Sequence, residues 1–275
     1  MRNAIVVFTK VPKAGETKTR LTIDRGGIFT PEEAKKFYEA CLLDVIDHCI
    51  TSRCCDVYVC HNQRGDSNYL KLLLKTISEP QFIKEIFSDE GGSFDHAMQY
   101  AADYIMKKGA PERLADSVLI VGGDMPCLQP VTLQDAVKKL EIIASSPKAL
   151  DCAKREGFTL NIGSAIIESA DQAGGFNIIG YTCTTPFTFD GVFYNQEGIT
   201  VLDMVVRKAL VSNIPLSLVE MVPDIDIPED LGGLIPVMNT LQLAKHYDAT
   251  IVAPKRTIIF LQEMGIESTA PVPKN

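Results

Sequence analysis

No run of about 20 uncharged apolar residues, the length a helix needs to cross a bilayer, occurs in the sequence. No membrane partner is therefore expected. Positive charge is also scarce. Lys and Arg number 27 against 35 Asp and Glu, for a net charge of −8 and a pI near 5.1. That balance argues against nucleic acid as a partner, while leaving room for a local basic cluster that holds phosphates. The eight cysteines include no CxxC pair, so the ligand spacing of a structural zinc site is missing. Cys49, Cys54 and His61 can be drawn as a looser ligand set, but Cys41 and Cys49 fall on one face of an expected helix, and free cysteines are commonly just buried. No GxGxxG and no GxxxxGK[ST] occurs, which excludes the dinucleotide fingerprint and the P-loop.

What remains is an ordinary globular composition, 46% apolar and 23% charged over 275 residues. A chain of this length buries roughly three quarters of its unfolded surface. With no repeat, linker or low-complexity segment in view, the reading is one domain over residues 1–275. The first apolar run begins within a few residues of Met1, so no targeting segment is expected. The thiols then read as reduced and the location as cytoplasmic.

The first half alternates strand and helix. Residues 4–8, AIVVF, read as a buried strand, and 30–33, TPEE, as a helix start with Thr30 as N-cap and Pro31 at N1. That helix is expected to reach residue 50. Strands follow at 56–60, 82–87 and 118–121, with helices at 68–77, 93–108 and 131–144. His96, in the first turn of one helix, reads as a surface residue. Such alternation predicts an α/β fold, a largely parallel sheet with helices on both faces. The second half is expected to hold strands at 160–170 and 176–183, a helix at 200–211, a strand at 216–222, and helical segments from 228, 236 and 254. The last ten residues, with Pro271 and Pro273, read as frayed.

Two stretches carry chemistry. Residues 117–128, SVLIVGGDMPCL, place Asp124 at the carboxyl end of an inner strand, where open α/β sheets bind their ligands. Gly122 and Gly123 allow close backbone approach there. Asp124 can hold a hard cation that carries phosphates, or merely cap the next turn. The other stretch is the loop 9–21, TKVPKAGETKTRL, with Lys10, Lys13, Lys18 and Arg20. Four cations in eleven residues, following a buried strand, read as a phosphate cradle rather than a solvated turn. Gly174 and Gly175 repeat the close-approach signal, with an ordinary hairpin turn as the alternative.

Four segments in order, IVVFTKVPKAGETKTRL, LIVGGDMPCL, AGGFNIIGY and DIDIPEDL, resemble the uncharacterised prokaryotic glycosyltransferase-like family of nucleotide-diphospho-sugar transferases. The chain is more distantly similar to guanylyltransferases that make molybdenum-cofactor dinucleotide and a phospholactate-derived cofactor. The resemblance implies a GT-A-type three-layer sandwich with a mostly parallel central sheet. It implies nucleotide binding by Phe8, Thr9, Lys10, Gly15, Lys18, Arg20, Gly122 and Gly123, with Asp124 and Lys18 as the catalytic pair. It also implies a Mg²⁺ or Mn²⁺ ion on Asp124 and Asp226, with Asp224 behind, and an acceptor side at Asp171, Gly174 and Gly175.

The sequence departs from the family where relatives carry Asp-Gly-Gly-Tyr, because Ala173-Gly174-Gly175-Phe176 stands there. The segment GSFDHAM at 92–98 replaces a more usual arginine-containing version. The implied function is a metal-dependent transferase using a nucleotide-activated donor, in first place a sugar transferase. A nucleotidyltransferase releasing pyrophosphate, and a non-catalytic nucleotide-binding protein, are the alternatives. The partner in each case is a nucleoside di- or triphosphate or a nucleotide sugar, and homo-oligomer formation stays open.

Overall fold

The structure, a computed structural model, describes residues 1–268. The expectation of a frayed tail falls largely on residues 269–275, outside the described part. Among the described residues seven strands form one sheet: β1 (Asn3–Thr9), β2 (Asp56–His61), β3 (Ile83–Ser88), β4 (Ser117–Gly122), β5 (Ile166–Ala170), β6 (Phe176–Thr182) and β7 (Leu216–Leu218). Their order is β3-β2-β1-β4-β6-β5-β7. The pairs β1–β2, β1–β4, β2–β3 and β5–β7 are parallel, while β6 runs antiparallel to both β4 and β5. The fold is thus the expected GT-A-type sandwich, with a mostly parallel sheet.

Among the described residues eight α-helices accompany it: α1 (Pro31–Ser52), α2 (Ser67–Leu74), α3 (Phe94–Met106), α4 (Pro130–Ala144), α5 (Pro147–Arg155), α6 (Val201–Val211), α7 (Pro228–Ala244) and α8 (Lys255–Glu263). Strand alternation sorts them into layers. Ile5, Val7, Leu119 and Val121 point to the face covered by α1, α2 and α4. Ala4, Val6, Val118 and Ile120 point to the face covered by α3 and α6. The Val118–Val121 run is buried on both faces, as an inner strand requires. Thr30 caps α1 as read, its side chain accepting from the Glu33 N–H while Glu33 returns a bond to the Thr30 N–H.

Four boundaries differ from the sequence reading. Helix α5 was not anticipated, although Ser146 caps it and Pro147 opens it. The strand expected from residue 160 begins only at Ile166, and the strand expected over 216–222 stops at Leu218. The helical pieces expected from 228 and 236 are one helix, α7, which runs through Pro236. Pro236 has no N–H to offer one turn back, at Gly232. The Gly232 carbonyl instead accepts from the Ser268 hydroxyl at 2.9 Å.

A third apolar cluster lies beside the sheet. It joins Leu21, Phe29, Phe37 and Cys41 to Ile225 just before α7, to Leu231 and Leu234 of α7, and to Ile258 and Leu261 of α8. This cluster holds the basic loop against a segment about two hundred residues away in the chain.

Candidate active site

Four chain segments converge at one edge of the sheet. β1 and β4 are neighbours and both end there. β1 is flanked by β2 on its other side, so the order reverses between β1 and β4, the switch point where such sheets open a crevice. Because β6 is antiparallel, the β5–β6 turn reaches the same edge, and the segment after β7 returns there too. Together they line a cavity of about 830 Å³.

The charged end of the cavity is built on Lys18. Its Nζ donates to Asp124 Oδ2 at 2.7 Å and to Asp226 Oδ1 at 2.6 Å, and its side chain is 7% exposed. Arg20 Nη1 donates to Asp226 Oδ2 at 3.2 Å from a more exposed position. Burial alone would lower the Lys18 pKa, but the two carboxylates outweigh it and hold the ammonium above its ordinary range. Burial acts to raise Asp226, and the Lys18 charge overrides it, so this carboxyl lies below its usual range. Asp224 has no such partner. Burial, then the charges of Asp124 and Asp226, push it up to about 6. Asp124, Asp224 and Asp226 each offer an oxygen within 4.8 Å of the others.

The acid segment is fixed by backbone. Ile225 N–H donates to the Asp124 carbonyl at 3.2 Å, and Gln172 Nε2 donates to the Asp224 carbonyl at 3.0 Å. The N–H groups of Asp226 and Ile227 both reach Asp230 Oδ2 at 3.0 Å, which seats the segment on the start of α7. On the other side Leu21, fully buried, pins the basic loop into the third apolar cluster. Leu21→Ala should cost about 2–5 kcal/mol in urea unfolding and loosen Lys18 from its two partners.

Phe8, Thr9, Lys10, Lys18, Arg20, Gly122, Gly123, Asp124, Asp171, Gly174, Gly175, Asp224 and Asp226 all line the cavity. Gly15 does not. It turns the loop at φ 77°, while the neighbouring Lys13 pairs with Glu16. The two glycines of β4's end make room for the chain's own atoms. A Cβ on Gly122 would stand 2.8 Å from Asp124 Oδ1, and one on Gly123 would stand 2.9 Å from the Tyr38 hydroxyl and from Leu42 Cδ1. In the β5–β6 turn, Asp171 Oδ1 accepts from the N–H groups of Ala173 at 2.6 Å and Gly175 at 2.8 Å. One oxygen of Asp171 thus braces the turn.

Tyr38, Phe94 and Phe193 line the cavity and, unlike Phe8 and Phe176, were not read from the sequence. Tyr38 of α1 bonds Thr9 through its hydroxyl at 2.7 Å, and its ring centroid lies 5.8 Å from Lys18 Nζ. At the other end an aromatic wall runs Phe8–Phe94–Phe193–Phe176, with ring centroids 5.6, 4.5 and 5.4 Å apart in successive edge-to-face pairs. Phe176, of the Ala-Gly-Gly-Phe stretch, gives its ring to this wall. No spacing rule announces these residues, because they come from separate elements. His96 lies outside the cavity, with Nδ1 2.9 Å from the Gly91 carbonyl. The Cys49, Cys54 and His61 ligand set is not assembled: Cys54 precedes β2 and His61 ends it, so the strand's length separates them.

The α/β sandwich thus carries a cation-bridged carboxylate cluster at its switch point. Residues 45–196 match the family described as "Uncharacterized protein conserved in bacteria (DUF2064)", and the chain belongs to that family. The fold is similar to a protein from Desulfovibrio desulfuricans G20 assigned as a nucleotide-diphospho-sugar transferase, with TM-score 0.69 at 19% identity over 96% of both chains. It is also similar to a cytidylyltransferase from Leptospira borgpetersenii serovar Hardjo-bovis, with TM-score 0.52 at 12% identity over 99% of this chain and 100% of that one. At such identities the likeness is one of fold. No curated protein matches the sequence. Among the described residues no helix is long and apolar enough to cross a membrane.

Proposed function

We propose that the protein transfers a sugar or similar group from a nucleoside-diphosphate donor, with Mg²⁺ or Mn²⁺ as cofactor. One observation carries this reading. The described cavity wall sets three cations, Lys10, Lys18 and Arg20, against five carboxylates, Glu16, Asp124, Asp171, Asp224 and Asp226. A diphosphate brought to that wall alone would meet net repulsion. A divalent ion on the carboxylates reverses the balance, and the three acids offer the hard oxygen donors such an ion takes. When bound, the ion would neutralise charge that builds on the leaving diphosphate. Lys18 and Arg20 then donate hydrogen bonds to phosphate oxygens. Tyr38 holds Thr9, and with it the end of β1, beneath them. The aromatic wall gives the far end of the cavity an apolar lining, and Asp171 Oδ2, which makes no hydrogen bond in the turn, can meet an acceptor.

Three cations on the wall also match a triphosphate, so nucleotidyl transfer is the second reading. A thermal-shift screen of CDP, GDP and UDP, their sugars and the triphosphates, with and without Mg²⁺, tests both. A ligand at a hundred times its Kd adds about 2.7 kcal/mol, or about 5–10 °C for a chain of this size. A shift that needs nucleotide and Mg²⁺ together is expected. Release of nucleoside diphosphate from a sugar donor then marks sugar transfer, and pyrophosphate from a triphosphate marks nucleotidyl transfer. No shift with any nucleotide overturns the proposal. The eight cysteines are all free and six are buried, which suits a reducing compartment, and we place the protein in the cytoplasm on that ground.

A further inference from the structure

The carboxylate cluster already contains a cation supplied by the chain. Lys18 Nζ takes one oxygen from Asp124 and one from Asp226, at 2.7 and 2.6 Å. The residue is set there by its backbone as well. Its φ is 49°, a left-handed conformation that residues with a Cβ rarely adopt. The side chain lies against the Tyr38 ring and is shut away from solvent.

A Mg²⁺ or Mn²⁺ ion bridging the same two oxygens would sit about 2.1 Å from each. That position falls against the ammonium, and two cations so close repel strongly where one of them is buried away from water. Resting on the metal reading above, we infer that Lys18 is a resident competitor for the divalent ion. The ammonium and the metal exclude each other from Asp124 Oδ2 and Asp226 Oδ1. Phosphate oxygens draw Lys18 off the carboxylates, because the donor's diphosphate bridge carries two negative charges and offers the ammonium several acceptor oxygens at once. The vacated oxygens then take the metal. Arg20 keeps its Nη1 bond to Asp226 Oδ2, which orients that side chain while Lys18 moves, and has its other N–H groups left for phosphate. Metal and polyphosphate therefore bind as a coupled pair. A free divalent ion binds weakly, and the donor itself raises the affinity of the site for the ion that assists its cleavage.

Mn²⁺ binding followed by electron paramagnetic resonance tests this without turnover. Wild type with Mn²⁺ alone should bind weakly, and pyrophosphate, used as a base-free probe, should increase protein-bound Mn²⁺ at least tenfold. Lys18→Met should bind Mn²⁺ alone at least tenfold more tightly than wild type and lose most of the pyrophosphate effect. Lys18→Arg keeps a cation in place and should bind Mn²⁺ alone within about threefold of wild type. A readout on the wild-type chain does not depend on any variant folding. Saturating Mn²⁺ without phosphate should raise acylation of Lys18 by acetic anhydride severalfold, as measured by peptide mass spectrometry. Equal Mn²⁺ affinity in wild type and a folded Lys18→Met, or a Lys18 reactivity unmoved by Mn²⁺ that demonstrably binds, overturns the competition and leaves the metal reading standing. Absence of Mn²⁺ binding in all three proteins, with and without pyrophosphate, overturns both.

Discussion

Asp124→Ala should abolish metal-dependent nucleotide binding and lower the transfer rate by about 10²–10³, the usual cost of losing one electrostatic contribution to the leaving group, here the ion that Asp124 would hold. The chain should still fold. Asp124 is partly exposed, and its carbonyl, not its carboxylate, is what ties the Ile225 N–H to the end of β4. Removing the carboxylate leaves the buried Lys18 ammonium paired with Asp226 at 2.6 Å. No uncompensated buried charge results, which is the situation that makes such deletions costly. Asp124→Asn separates charge from shape, because it fills the space that Gly122 leaves beside Oδ1 yet offers no negative charge. Both variants should show no heat with CDP, GDP or UDP plus Mg²⁺ in titration calorimetry. An affinity equal to that of wild type in either would remove Asp124 from the site.

Much of this arrangement was legible in the order of residues. An apolar run that ends in glycines and an acid reads as a strand end, and a cluster of cations after the first strand reads as a neighbouring loop. The parallel α/β alternation then brings both to one edge. Local pattern does not tell which cations face inward. Lys13 belongs to the same basic loop as Lys10 and Lys18, yet it pairs with Glu16 because the turn at Gly15 swings it outward. Nor does pattern tell that Lys18 and Asp226, 208 positions apart, share a bond, since that contact depends on Leu21 and Ile225 meeting in one small apolar cluster. Tyr38 reads as one more residue of an amphipathic helix; its role follows only from where α1 crosses the end of β1. The aromatic wall is similar, one ring each from β1, α3, β6 and the segment after it. Asp171 is the clearest limit. Its position beside the missing acid of Ala173 was readable, but the bracing of the turn by its Oδ1 was not.

Glu168 should make the protein less stable as pH rises through neutrality, and its removal should reverse this. The residue lies on β5 two positions from Ile166, so it shares the face that packs into the α3–α6 side of the core. It is 0% exposed, and neither carboxyl oxygen has a hydrogen-bond partner. Burial raises its pKa from 4.5 to about 7. The folded state therefore holds this proton more tightly than the unfolded chain does. Its contribution is most favourable below pH 4.5 and is lost as pH climbs through 7, about 3 kcal/mol in all at roughly 1.4 kcal/mol per unit. Other carboxylates, such as Asp226 with its lowered pKa, carry the opposite slope, so the informative quantity is the difference between variant and wild type. Glu168→Gln should differ little from wild type near pH 4.5 and gain stability steadily to a plateau above pH 8. Glu168→Met should also be more stable than Glu168→Gln at every pH, because it leaves no buried polar atom without a partner. Urea unfolding at half-unit pH intervals reads both effects. A variant-minus-wild-type difference that is flat from pH 4.5 to 8.5 would mean that Glu168 does not carry the proton in the folded state.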